Sequence, residues 1–192
     1  MDVLKKKFLP KTTLIVFLFV VLPGVVLAQK GLTANAGFSF SSIAYDDNDF
    51  RKENGFGFDV DLGYNLSSVV GIILGFGSYS LEDDENARLT YYDIGPRFYP
   101  LKSKLITPYI DLAYTGSEIT TQIDDVNILQ SGAGITYGGG FNYALNQRLH
   151  INLGLFQTRM KYDTNEINGQ KLSDLEFRSW NTRIKVGIGF SF

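Results

Sequence analysis

The sequence has no cysteine, one histidine, one tryptophan, two methionines and five prolines among 192 residues. Without cysteine there is no disulfide scaffold, no thiolate metal centre and no thiol nucleophile. The single histidine, His150, leaves little material for general-base chemistry. There is no basic excess either: 18 Lys and Arg face 20 Asp and Glu, so the cationic stripe that nucleic acids require is missing. Charge is also sparse, at 20% beside 44% apolar residues, which excludes a disordered chain. No apolar run reaches the roughly 20 residues that a spanning helix needs. What the sequence does have is 20 Gly, 15 Phe and 11 Tyr. Each Gly inside a helix costs about 1 kcal/mol relative to Ala, whereas many short strands joined by turns accommodate both Gly and aromatics. These features indicate one all-β domain of ordinary size.

The N-terminus carries Lys5, Lys6 and Lys7, then an apolar stretch from Leu14 broken by Pro23-Gly24, then Val26 and Ala28 before Gln29. Basic, apolar and small-residue regions in that order describe a secretory signal peptide, so residues 1–28 are expected to be cleaved and residues 29–192 to form the mature domain. Cleavage there removes four basic residues and one acidic residue, leaving 14 against 19 and a net charge of −5. An exported chain free of cysteine suits a bacterial envelope better than a disulfide-stapled secreted protein.

Within the mature part, apolar residues recur at every second position in eight segments. The clearest reads Phe56, Phe58, Val60, Leu62, Tyr64 over Gly57, Asp59, Asp61, Gly63. The others centre on Ala36, Leu74, Ile94, Ile110, Tyr137, Leu153 and Ile184, most of them nine to eleven residues long, as a tilted strand crossing a bilayer requires. Short connections at Ser67-Ser68, Leu101–Lys104 and Ala144–Gln147 alternate with long polar ones at Tyr45–Asn54, Leu81–Ala87, Gly116–Gln130 and Tyr162–Glu176. That alternation is expected of an eight-stranded antiparallel up-and-down transmembrane barrel with short periplasmic turns and long outer loops.

Alternation leaves open which face points inward: a lipocalin-like soluble barrel encloses its apolar face, whereas a membrane barrel turns it to lipid. The aromatics on that face favour lipid. Tyr64, Phe98, Tyr143 and Phe192 fall near the short-turn rim, and Phe40, Phe56, Tyr92, Tyr114 and Trp180 near the long-loop rim, forming two girdles. The opposite face is mostly Gly, Ser, Thr and Asn. Its charges are Asp59, Asp61, Asp93 and Asp111 against Arg97, Arg183 and Lys185. An ion network in the lumen is therefore expected, with Arg183 and Lys185 meeting Asp59 and Asp61, and Arg97 meeting Asp93 and Asp111. It serves either as a plug or as the lining of a narrow pore, and the small bore of eight strands favours the plug.

The sequence ends Lys185-Val-Gly187-Ile-Gly-Phe190-Ser-Phe192. Lys185, Gly187, Phe190 and the terminal Phe192 resemble the C-terminal sorting signal of bacterial outer-membrane barrels. Together with Tyr92–Tyr99 and Pro108–Asp111, this makes residues 29–192 similar to the small eight-stranded outer-membrane barrel family, the OmpA/OmpX-like group or porin family. The resemblance implies a home in the outer membrane of a Gram-negative bacterium. It also implies contact with outer-membrane lipid and lipopolysaccharide, and recognition by the barrel-assembly machinery during biogenesis. It implies no cofactor and no nucleic-acid partner, and it says little about activity.

The long loops are acidic, with Asp46, Asp47, Asp49 and Glu53 in the first, residues 82–85 in the second, Glu118, Asp124 and Asp125 in the third, and Asp163, Glu166, Asp174 and Glu176 in the fourth. Asp46-Asp-Asn-Asp-Phe-Arg lacks the Gly and the distant Glu of a calcium loop, so a solvated surface that meets an unidentified ligand is favoured over a metal site. His150 lies near the short-turn rim with no Ser or acid placed to complete a triad. The expected role is thus non-enzymatic: structural, surface-interacting or weakly permeating. A soluble lipocalin-like binder and a lipid-modifying outer-membrane enzyme are the alternatives.

Overall fold

In the computed structural model, residues 31–46, 52–82, 87–101, 103, 105–123, 126–172 and 176–192 are described. The expected leader, residues 1–28, lies outside them, as do loop acids Asp47, Asp49, Asp83, Asp84, Glu85, Asp124, Asp125 and Asp174.

Eight long strands form the wall: β1 (Leu32–Tyr45), β2 (Lys52–Asn65), β3 (Val70–Leu81), β4 (Ala87–Phe98), β5 (Ile106–Ile123), β6 (Val126–Ala144), β7 (Leu149–Ile167) and β9 (Phe177–Ser191). A three-residue strand, β8 (Gln170–Leu172), pairs only with β7. Each long strand runs antiparallel to the next, and β9 returns to β1, so the sheet closes. Closure gives every long strand a partner on both sides, the condition for a sheet to survive in lipid, while β8 keeps one side unpaired.

The register fixes the tilt. Following one row of paired residues from Ala44 through Trp180, Arg159, Ile135, Tyr114, Ile94, Leu74 and Leu62 returns to β1 at Ala34. The stagger from Ala44 to Ala34 is ten residues over eight strands, so the strands slant steeply and the lumen is narrow enough for side chains to fill it.

The polarity is the reverse of a soluble barrel's. Phe38 is 65% exposed, Ile188 58% and Leu155 57%, all on the outside, while Arg183, Arg97 and Asp111 inside are at most 2% exposed. The lipocalin-like alternative, which buries the apolar face, is thereby overturned.

Three expectations need correction. The third long loop, Gly116–Gln130, is mostly strand: β5 and β6 stay paired from Ile106↔Tyr143 up to Ile123↔Val126, leaving only residues 124–125 between them. The fourth, Tyr162–Glu176, contains the end of β7, a tight turn and β8. Both faces are largely polar in these outer stretches, so hydrophobic alternation fades while backbone pairing continues. The β7–β8 turn is Asn168-Gly169, whose φ values of 49° and 78° are those of a two-residue hairpin turn. Glu53, expected in a loop, sits on β2 facing inward, where it accepts a hydrogen bond from the Tyr45 hydroxyl at 2.9 Å.

Candidate functional site in the barrel interior

Every second residue of each long strand points inward, and these side chains form three tiers. Nearest the short turns, Arg97 on β4 and Asp111 on β5 are directly paired in the ladder. Arg97 Nε and Nη2 each donate to one Asp111 oxygen at 2.7 Å, a bidentate contact. The guanidinium also lies 4.1 Å from the centre of the Tyr109 ring. Beside this pair, Asn152 donates to Tyr109 Oη at 3.0 Å and to Asn142 at 2.7 Å, and His150 Nε2 meets Asn35 Oδ1 at 2.8 Å. Gly189, opposite both Asn35 and His150 in the ladder, makes that last contact possible, because any side chain there overlaps both partners.

The middle tier joins side chains of seven long strands, β1, β2, β4, β5, β6, β7 and β9. Lys185 Nζ on β9 lies 2.9 Å from Asp59 and 3.4 Å from Asp61 on β2. It reaches across the small residues of β1, where Ser39 also bonds Asp59. Arg183 does not join those aspartates as expected. Its Nη2 donates to Asp93 at 3.0 Å and approaches Thr136 and Thr158 at 3.0 and 3.2 Å, while Thr115 donates to Asp93 at 2.6 Å. Asp93 accordingly leaves Arg97 to Asp111. Arg183 packs on the face of Tyr91, 3.7 Å from the centre of a ring that stacks on Tyr79 at 5.5 Å, and this cation–π contact holds it beside Asp93, two residues along β4 on the same face. Gly77, paired with Tyr91, is what lets that ring lie flat across the lumen, since a Cβ there overlaps it. The seven expected network residues therefore form three ion-paired groups, in which four carboxylates share three cations.

The outer tier goes beyond the expected ion network. Ile43, Tyr79, Leu81, Ala87, Leu89, Tyr91, Ile119, Met160 and Tyr162 form one buried apolar cluster, against which Tyr45 and Phe177 pack. Its signal was present in the phase: Tyr79 and Leu81 keep the parity of Gly75 and Gly77, and Leu89 and Tyr91 that of Asp93, so the inward face turns apolar toward the long-loop end.

The nine girdle aromatics all face outward. Tyr64, Phe98 and Tyr143 adjoin the short turns through their partners Leu32, Val70 and Ile106, and Phe192 packs edge-on against Phe190 at 4.9 Å. Phe40 faces Phe56, Tyr92 contacts Phe76 at 5.4 Å, Tyr114 faces Ile135, and Trp180 lies under the Arg159 guanidinium at 4.6 Å. Tyr64 and Trp180 are half-buried and the rest exposed. Of the four residues compared with a sorting signal, Phe190 and Phe192 face outward near the short-turn rim, while Lys185 and Gly187 face the lumen. At the opposite rim, Asp46 takes both Arg159 nitrogens, and that hydrogen bonding holds its carboxyl below the usual range. Among the described residues no cluster of three or more His, Asp or Glu is placed to hold a metal ion.

This closed wall, apolar outside and ion-paired within, has the fold of known proteins of the outer membrane. Residues 13–192 match the family described as outer membrane protein beta-barrel domain. The chain belongs to that family. It is accordingly a protein of the Gram-negative outer membrane. Solved structures with the same fold include Neisserial surface protein A, at 13% identity and a TM-score of 0.65, covering 84% of this chain and 97% of that one. The attachment invasion locus protein Ail of Yersinia pestis follows at 16% identity and TM-score 0.56, covering 85% and 99%. OprG of Pseudomonas aeruginosa aligns at 14% identity and TM-score 0.52, covering 85% and 96%. No curated protein sequence matches this chain.

Proposed function

We propose that this barrel is a sealed, non-enzymatic outer-membrane scaffold that presents its extended outer hairpins to partners. The observation that carries the reading is the filled interior. Three ion-paired groups and an apolar cluster occupy the bore, and a cavity beside Asp59, Asp61 and Lys185 measures only about 10 Å³, room for a single water. Vesicles carrying the folded chain should swell in an isosmotic small-sugar solution no faster than empty ones; swelling at a porin-like rate overturns the proposal. Weak permeation is the second reading, motivated by the unequal charge of the middle tier, and the same assay decides it.

His150 fits the non-enzymatic reading, because its Nε2 is bonded to Asn35 and its ladder partners are Ala144 and Gly189. Ail has been crystallised in complex with a heparin analogue, sucrose octasulfate. The loops of this chain are acidic, so a polyanion of that kind is repelled and a cationic or neutral surface partner fits better. In the membrane the partners are lipid and lipopolysaccharide, and during biogenesis the barrel-assembly machinery acts on the final strand. Deleting Phe192 should sharply reduce insertion in cells, and undiminished insertion removes the sorting role. The leader reading fails if the mature N-terminus, measured by mass spectrometry, is not Gln29.

A further inference from the structure

The dipeptide Asn-Gly occurs twice in the chain, at Asn54-Gly55 and Asn168-Gly169. The structure holds the two copies differently. Asn54 and Gly55 lie within β2, where Gly55 is buried and is paired with Ser41 on one side and Leu81 on the other. Asn54 is tied as well, its backbone carbonyl accepting from the Glu82 amide at 2.8 Å. Asn168 and Gly169 instead form the exposed β7–β8 turn, and the ladder closes before them at Ile167↔Gln170. Around Gly169 the space is open: a Cβ there meets no atom within 4 Å among the described residues.

We propose that Asn168 is a self-modification site, at which the Gly169 amide nitrogen attacks the Asn168 side-chain carbonyl and the amide is replaced by a carboxylate. The only other reactant is water. The new bond joins the Gly169 nitrogen to Asn168 Cγ, the Cγ–Nδ2 bond breaks, and ammonia leaves with the proton of the Gly169 nitrogen. Hydrolysis of the resulting five-membered imide consumes one water and gives aspartate, or the isomer whose backbone runs through Cγ. The reaction needs an accessible side-chain carbonyl, a following amide nitrogen free of the ladder, and room for the imide ring. Of the two copies, only Asn168-Gly169 offers all three. One further contact favours it. The Asn127 amide donates to Asn168 Oδ1 at 2.9 Å, which polarises the carbonyl and stabilises negative charge developing on that oxygen.

The product changes the tip of the hairpin. Glu166 and Lys171 face each other in the ladder, so a carboxylate at position 168 makes the turn net negative. An aspartate keeps an oxygen for the Asn127 amide, whereas the isomer lengthens the backbone by one carbon and displaces the reciprocal Asn127–Asn168 contact. The bearing on partners rests on the surface role proposed above; the chemistry does not. In the test, the folded chain in detergent micelles is aged at neutral pH, and both asparagines are followed by peptide mapping with mass spectrometry while circular dichroism confirms the β-sheet. Conversion at Asn168 should be at least about tenfold faster than at Asn54, which reacts only when β2 opens locally. In the urea-unfolded chain the two rates should converge, because both dipeptides are then equally free. Folded-state conversion of Asn168 no faster than that of Asn54 overturns the proposal, since the turn then protects the amide. Gly169→Ala should slow Asn168 by at least about threefold and leave Asn54 unchanged, and an undiminished rate removes the Gly169 nitrogen as the attacking group. The wild-type comparison carries the test if that variant fails to fold.

Discussion

In the short-turn and middle tiers each buried cation meets a carboxylate from another strand, whereas at the outer end the same inward positions hold Ile43, Leu81, Leu89 and Met160. The ion-paired and apolar parts close one bore by different physics. An ion pair in a low-dielectric interior gains little net stability, but breaking it strands a charge, so it penalises any wrong register heavily. Apolar packing is less particular about partners and excludes water directly. The ion-paired tiers therefore enforce which strands meet, and the outer tier supplies the dry cap.

That difference can be broken most forcefully at Arg97. Arg97→Met leaves Asp111 buried without a partner and should destabilise the folded barrel by about 3 to 5 kcal/mol in urea titrations in lipid vesicles. The double variant Arg97→Met, Asp111→Leu should recover most of that loss; no recovery means that the pair does not act as a unit. In the cap, Leu89→Ala should cost about 2 to 4 kcal/mol by the same titration, as cavity formation in packed apolar surroundings does. No second substitution on a facing strand is expected to rescue it, because no charge is left stranded. Outside, Val60→Arg places a cation against lipid near mid-depth and should cost about 2 to 4 kcal/mol, in contrast to the tolerated cations a few ångströms away in the lumen. The smallest effect belongs to the outer hairpin: Gly169→Ala at φ 78° should cost about 1 kcal/mol and leave the interior signals of a nuclear magnetic resonance spectrum in place.

Much of this was legible in the sequence because one periodicity governs it. Residues such as Phe58, Asp59, Val60 and Asp61 assign both faces at once, and strand order follows from short turns. The pairings inside the lumen were less legible. Lys185 reaches Asp59 and Asp61 across β1 as expected, but the partner of Arg183 depended on how the Tyr79 and Tyr91 rings lie, a packing outcome that alternation does not encode. The outer stretches of β5, β6 and β7 read as loops in the sequence because pairing there no longer carries a hydrophobic signature. Asn168-Gly169 was the overlooked mark of a hairpin in that region.

Whether the ion-paired and apolar parts seal the bore is tested most directly by single-channel recording of the folded mature chain in a planar bilayer, beside the variant Arg183→Ala, Lys185→Ala. A closed lumen requires silence from the wild-type barrel despite verified insertion. Discrete wild-type openings whose conductance changes in the variant would contradict it, and would make the ion-paired tier the lining of a pore.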